Sequence, residues 1–197
     1  MTKKAVFFDR DGTLIKLVYD SEVDKVDTVS RVEDLEIVYD MPEVLKKLKD
    51  LGYLLIIISN QPKVALKKET QENWDKVHEE FLKQYKELGV TFDKEYYCFH
   101  HPFSEVEKLK QDCECRKPGI KFFQDSEKEL DIDMSQSFMV GDGVNDVLAG
   151  QKAGVKTILF GNSLEAGYLS VVQEQLKDIQ PDFIVKKPKE ILEIIHD

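Results

Sequence analysis

Short apolar runs alternate along this chain with segments that have the periodicity of amphipathic helices. Residues 53–58 form an uninterrupted aliphatic run, typical of a strand buried on both faces of a parallel sheet. Apolar side chains at 42–51 recur three and four positions apart, with Pro42 in the first turn and Gly52 after the last, as in a helix. The same reasoning predicts strands at 5–8, 53–58, 96–98, 138–140, 155–160 and 183–185. It predicts helices at 42–51, 67–88, 120–130, from Gly143 to about 153, and at 190–195.

Strands and helices that alternate with glycines between them predict an α/β domain with a Rossmann-like, doubly wound parallel sheet. The 197 residues suffice for one such domain and are too few for two full ones, so we expect a single domain over 1–197. Sheets of this class bind ligands at the carboxyl ends of their strands, where the strand order reverses. The acidic segment 15–39 shows few clear elements, and it follows the first strand, where a lid over such a site could lie.

Composition excludes several classes of protein. The net charge of -10 disfavours a general nucleic-acid-binding surface, because phosphate backbones would be repelled. No apolar run approaches the roughly 18 residues of a membrane span, and the one after the basic N-terminus is too short for a signal peptide. We therefore expect a cytoplasmic protein, with no membrane or nucleic-acid partner, that acts on a small anionic metabolite. A monomer is the favoured state.

Two acidic residues, Asp9 and Asp11, follow directly on the first predicted strand and precede Gly12. Two carboxylates facing one pocket repel each other, so they persist only if a metal ion, a proton or a substrate cation compensates their charge. The pair fits phosphoryl transfer, with Asp9 as the nucleophile that forms an aspartyl-phosphate and Asp11 as the acid/base. Asp142 ends another strand, and with Asp9 it could hold a Mg²⁺ ion that offsets the repulsion between carboxylate and phosphate. For an isolated Asp-x-Asp the alternative is a solvated turn.

Four further polar residues are candidates for binding a phosphate. The Ser59 hydroxyl and the Asn60 backbone N–H follow an aliphatic strand, although a serine there could instead cap a helix. Lys117 can neutralise the phosphate as a point charge, and Arg116 can grip a second anionic or hydroxyl group, unless both are a solvated basic pair. Asp146 either supports the metal, orients Lys117 or is a first-turn acid of a helix.

All three cysteines lie within 98–115, in two short motifs that frame a loop. Cys98-Phe99-His100 and Cys113-Glu114-Cys115 offer three thiolates and one imidazole, which would form a closed, structural Zn²⁺ site. His101 is a rival for the imidazole ligand, and three free thiols are the alternative to a metal site. Because the zinc loop, residues 98–117, ends at Arg116 and Lys117, we expect zinc to fix the loop that delivers these cations to the phosphate.

Taken together, these motifs resemble the haloacid dehalogenase superfamily of phosphatases. Within it, the chain is similar to the compact branch that contains histidinol-phosphate phosphatase and D-glycero-D-manno-heptose-1,7-bisphosphate 7-phosphatase. The resemblance covers roughly residues 5–160 and implies a fold without a large cap domain and a Mg²⁺-dependent two-step hydrolysis. It also implies that Asp11 gives its backbone carbonyl to the metal and that His100 is the zinc ligand. The matching pieces, in family order, are Asp9-Arg10-Asp11-Gly12-Thr13, Ser59-Asn60-Gln61, Cys98-Phe99-His100-His101-Pro102, Cys113-Glu114-Cys115-Arg116-Lys117-Pro118 and Val140-Gly141-Asp142.

Two regions depart from the pattern of the heptose phosphatases. Residues 62–68 replace the usual Ser-Gly-Ile-Ala-Arg-Gly type of turn, and the segment after Thr13 is longer and lacks the usual Gly-Tyr. Both regions border the leaving group in the family. The first hypothesis is a phosphatase for a sugar phosphate, with the heptose bisphosphate as the main candidate. The alternatives are a phosphatase for histidinol phosphate or another small phosphomonoester, and, in another class, a non-catalytic phosphate-binding module.

Overall fold

A six-stranded parallel sheet forms the centre of the protein in a computed structural model, which describes residues 2–20, 25–161, 176 and 179–196. Its strands stand in the order β5-β4-β1-β6-β7-β8, and β2 pairs with β3 in a separate antiparallel hairpin. The strands are β1 Lys4–Phe8, β2 Val18–Asp20, β3 Lys25–Asp27, β4 Tyr53–Asn60, β5 Lys94–Cys98, β6 Phe138–Gly141, β7 Lys156–Phe160 and β8 Phe183–Val185. The α-helices are α1 Met41–Asp50, α2 Gln71–Glu87, α3 Lys121–Leu130, α4 Val144–Ala153 and α5 Pro188–Ile194.

Helices cover both faces of this sheet. Val6 and Phe8 of β1 face a core formed with α1, α2 and α5, whereas Ala5 and Phe7 face a second core formed with α3 and α4. Every one of these four side chains is fully buried. Burial on both faces explains why the central strands are continuous apolar runs, and it confirms the predicted doubly wound α/β fold. Across the described ranges, no helix combines the length and the hydropathy that a membrane span requires.

The strand order reverses between β1 and β6, which are neighbours although far apart in sequence. Phe8 pairs with Val140, and the Asp9 N–H donates to the Val140 carbonyl at 3.0 Å. The residues that follow these two strands therefore leave the sheet side by side. In this way the sheet topology brings Asp9 and Asp142 to one edge, where sheets of this class bind their ligands.

Two predicted boundaries near β4 were wrong. The strand extends to Asn60, so Ser59 lies inside it and is not a helix cap. Helix α2 begins at Gln71 rather than at 67, because Lys67 has a left-handed backbone (φ 49°) and Thr70 caps the helix by accepting the Asn73 N–H at 3.1 Å. Residues 62–68 instead form hydrogen-bonded turns, which we call the 62–68 turn.

Candidate active site

A cleft of about 390 Å³ opens at the carboxyl ends of the central strands. One of its walls is the hairpin segment after β1, with Leu17, Val26, Asp27 and Thr28. The acidic segment 15–39 thus contains a short hairpin that borders the site. This hairpin lies where the sequence suggested a lid. Six of the predicted site residues line this cleft: Asp9, Asp11, Asn60, Arg116, Lys117 and Asp142.

Lys117 is a buried cation that lines the cleft, with 3% of its surface exposed. Its Nζ donates to Asp9 Oδ1 at 2.7 Å and to the Ile58 carbonyl at 2.6 Å, and it lies 2.5 Å from Asp146 Oδ1. Burial lowers the pKa of Lys117, but the carboxylates of Asp146 and Asp9 outweigh that effect and raise it above its ordinary value. Lys117 is therefore a fixed positive charge, and the solvated-pair alternative is wrong for it.

Two side chains hold Lys117 in this position. Asn60 accepts the Lys117 backbone N–H at 2.9 Å and donates its amide to the Lys117 carbonyl at 3.0 Å. Asp146 uses one carboxylate oxygen for Lys117 and the other to accept the Gly143 N–H at 3.0 Å, at the start of α4. Asp146 thus combines two of the roles that the sequence left open, because it caps a helix and orients the lysine.

Asp9 shares the ammonium of Lys117 with Asp146. The pKa of Asp9 is raised from its ordinary 3.8 to about 6, mainly because burial disfavours its charged form. Lys117 opposes this rise, whereas Asp146 and Asp11 contribute to it. The metal-free site therefore binds a proton at Asp9 more tightly than water-exposed aspartates do. A cation bound beside this carboxylate would favour its ionised form and displace that proton.

Sequence reasoning assigned no role to Arg10 and Gln61, yet they hold the Asp11 carboxylate. Arg10 is 1% exposed and donates from two nitrogens to the two Asp11 oxygens, both at 3.1 Å. Gln61 Nε2 donates to Asp11 Oδ2 at 2.7 Å, and Gln61 Oε1 accepts from Arg10 at 3.1 Å and from Trp74 Nε1 at 2.9 Å. The signal available in the sequence was position alone, because Arg10 stands between the two acids and Gln61 directly follows Asn60.

Ser59 lies deeper than the other predicted phosphate ligands. Only 2% of its surface is exposed, and its hydroxyl oxygen accepts from Gln61 Nε2 at 3.0 Å. The structure therefore joins Ser59 to the same buried network as Asp11.

The acids of the cleft suit a hard dication. Asp9, Asp142 and Asp146 each offer a carboxylate oxygen, and these three atoms lie within 4.8 Å of one another. Gly12 has a left-handed backbone (φ 81°), and a Cβ on it would lie 2.1 Å from Asp142 Oδ2, so only glycine lets this carboxylate approach the chain. Oxygen donors of this kind fit Mg²⁺. Both carboxylate oxygens of Asp146 already have a partner, Lys117 for one and the Gly143 N–H for the other.

The three cysteines and His100 lie together at the end of β5. Cys98 Sγ is 3.5 Å from Cys113 Sγ and 3.2 Å from Cys115 Sγ, and His100 Nδ1 is 3.3 Å from Cys115 Sγ. Tetrahedral zinc with Zn–S bonds of about 2.3 Å places its ligand atoms about 3.8 Å apart, so this closed set of four fits that ion after a small expansion. His101 is outside the cluster, since its Nδ1 accepts the Phe103 N–H at 3.1 Å.

Comparisons with known proteins find relatives that cover most of this chain. A family model described as "Polynucleotide kinase 3 phosphatase" matches residues 4–178. The D-glycero-beta-D-manno-heptose-1,7-bisphosphate 7-phosphatase of Haemophilus ducreyi is 40% identical over 158 residues, which are 80% of this chain and 82% of that protein. The enzyme of the same name from Vibrio cholerae is 32% identical over 195 residues, which are 96% of this chain and all of that protein.

A solved structure shows the same fold. It is the D,D-heptose 1,7-bisphosphate phosphatase from B. bronchiseptica in complex with magnesium and phosphate, which superposes with a TM-score of 0.76 at 19% identity. The match covers 98% of this chain and 99% of that one.

Proposed function

This chain belongs to the haloacid dehalogenase-like phosphatase family, and we propose that it is a Mg²⁺-dependent phosphatase that hydrolyses D-glycero-D-manno-heptose 1,7-bisphosphate at its 7-phosphate. The observation that carries the proposal is the ion pair of Lys117 with Asp9, beside Asp142 in the cleft at the end of β1. A nucleophile, a buried cation and a second metal-binding acid are what phosphoryl transfer requires. The relatives that bear this activity in their names support the choice of substrate.

In the first step, an oxygen of Asp9 attacks the phosphorus atom and the bond to the leaving oxygen breaks. Asp11 gives its proton to the leaving alkoxide, so the sugar departs as a neutral alcohol. Lys117 and the backbone N–H of Asn60 stabilise charge on the phosphoryl oxygens. Arg116 binds a second anionic or hydroxyl group of the substrate.

In the second step, a water molecule attacks the phosphorus atom of the aspartyl-phosphate. Asp11, now ionised, takes a proton from that water, and the bond between phosphorus and the Asp9 oxygen breaks. Inorganic phosphate leaves, and both aspartates return to their starting forms. Arg10 and Gln61 hold the Asp11 carboxylate in place through their hydrogen bonds in both steps.

Mg²⁺ would be held by the side chains of Asp9 and Asp142 and by the backbone carbonyl of Asp11. When bound, it supplies positive charge that offsets the repulsion between carboxylate and phosphate.

The test of this function is phosphate release from a panel of phosphomonoesters, with heptose 1,7-bisphosphate and histidinol phosphate assayed side by side. We expect Mg²⁺-dependent release, with the highest kcat/KM for the heptose bisphosphate. A higher value for histidinol phosphate would assign the chain to that substrate instead. No release from any ester of the panel would identify a non-catalytic phosphate-binding module.

We further propose that the cluster of Cys98, His100, Cys113 and Cys115 binds one structural Zn²⁺ per chain. Removal of zinc, with Mg²⁺ kept in excess, is expected to lower kcat/KM, because the loop that carries Arg116 and Lys117 loses its anchor. Metal analysis and phosphate release measure the two effects. His100→Ala should lose zinc, whereas the matched change His101→Ala should keep it. Full turnover by the zinc-free protein would contradict the link between this site and activity.

A further inference from the structure

Lys63 contacts one wall of the cleft from behind. It lies in the 62–68 turn. Its Nζ donates to the Thr28 carbonyl at 2.6 Å and to Ser30 Oγ at 2.7 Å, and it lies 3.2 Å from Asp27 Oδ1. An ammonium has three donors, so these three acceptors use all of them. The Lys63 side chain is only 14% exposed, which leaves it little freedom to turn elsewhere.

The residues that Lys63 holds are part of the cleft itself. Asp27 and Thr28 line the cleft together with Asp9, Lys117 and Arg116. The 27–30 segment is fixed by other contacts as well: Val29 is 2% exposed in the core, and Asn73 of α2 donates its amide to the Ser30 carbonyl at 2.5 Å. Among the contacts described for this segment, the ammonium of Lys63 alone joins its backbone, a hydroxyl and a carboxylate.

The 62–68 turn also contacts the zinc loop. The Ala65 carbonyl accepts the Glu105 N–H at 2.8 Å and the Ser104 hydroxyl at 3.0 Å. Lys63 and Ala65 are two residues apart, so one short turn touches both the hairpin wall and the loop that leads to Arg116.

We propose that Lys63 is a specificity-determining positioning residue, which sets Asp27 and Thr28 against the part of the substrate that does not react. This inference rests on the proposed phosphatase function and concerns the leaving group alone. A carboxylate repels a second phosphate and accepts hydrogen bonds from hydroxyls, while a threonine hydroxyl both donates and accepts. The wall therefore fits the hydroxyl-bearing carbons of a sugar. Any second phosphate lies across the cleft, at Arg116.

The test compares Lys63→Met with Lys68→Met, which removes the same charge from an exposed position of the same turn. The KM and kcat of each variant are measured with the best sugar phosphate and with acetyl phosphate, whose leaving group is too small to reach the wall. For Lys63→Met we expect KM for the sugar phosphate to rise about tenfold, with kcat/KM for acetyl phosphate within about twofold of the parent. Lys68→Met should match the parent on both substrates.

Other results would overturn the proposal. Equal losses on both substrates would show that Lys63 only stabilises the fold, and no loss on either would show that the wall does not contact the substrate. If Lys63→Met does not fold, Thr28→Val is used, since it removes the hydroxyl and keeps the carbonyl that Lys63 binds; it should raise the same KM. If no sugar phosphate is hydrolysed, the proposed function fails, and the comparison is made with the best ester of the panel.

Discussion

Asp9→Asn is expected to lower kcat for Mg²⁺-dependent phosphate release by about 10⁴-fold or more, because an amide oxygen cannot form the aspartyl-phosphate. The substitution keeps the shape of the side chain and removes the negative charge that pairs with Lys117 and would bind a metal ion. Phosphate release from the best ester and from an aryl phosphate measures the effect. Both substrates should lose activity together, since the nucleophile serves every leaving group.

A matched control is Asp50→Asn, which removes the same charge from an exposed residue at the end of α1. Its kcat should equal that of the parent. Activity of Asp9→Asn above about 1% of the parent would exclude Asp9 as the nucleophile.

The pKa of Asp9 can be tested by comparing the free energy of unfolding of the parent with that of Asp9→Asn at several pH values. In the metal-free protein this pKa is raised to about 6 from 3.8, so the folded state binds the proton more tightly than the unfolded state. The resulting stabilisation is complete below about pH 4 and is lost as the pH rises through 6, a change of about 3 kcal/mol. Urea unfolding of metal-free protein should show this fall in the parent and not in Asp9→Asn. A parallel pH dependence in both proteins would contradict the raised pKa.

Much of the fold, and the gathering of the candidate residues at one edge of the sheet, could be predicted because their signals are local. The apolar run before Asp9 and the aliphatic run before Ser59 each specify a buried strand and its end within a few residues. Parallel strands end at a shared edge, so residues at separate strand ends were expected in one pocket. The cluster of three cysteines and one histidine was suggested by short spacing in the same way, at 98, 100, 113 and 115.

The residues that sequence reasoning missed depend on contacts between distant segments. Gln61 has a role because α2 brings Trp74 next to it and β1 brings Asp11, and neither contact has a periodic signature. Lys63 donates a hydrogen bond to the carbonyl of Thr28, which lies 35 positions earlier in the sequence. The start of α2 was missed for a local reason. The backbone of Lys67 is left-handed, and a lysine in the sequence gives no indication of that conformation.

Lys117→Met should have the second large effect, on both stability and activity. The substitution leaves the carboxylates of Asp9 and Asp146 buried without their shared cation, and breaking a buried ion pair in this way costs about 3–5 kcal/mol. Loss of this fixed charge should also lower kcat by about 10³-fold. Urea unfolding and phosphate release measure the two effects, and Lys121→Met, on the exposed surface of α3, is the control that should change neither.

The loss of stability in Lys117→Met should respond to pH and to a second substitution, whereas its loss of activity should not be restored by that substitution. Removing the Lys117 ammonium removes an interaction that lowers the pKa of Asp9, so at pH 5 the Asp9 carboxylate takes up a proton and the loss of stability shrinks relative to pH 8. Lys117→Met combined with Asp146→Asn should regain part of the stability at pH 8, because one buried charge is gone, yet none of the activity. Recovery of activity in the double variant would mean that Lys117 serves only to neutralise Asp146. A stability deficit independent of pH would mean that it arises from lost packing rather than from unpaired carboxylates.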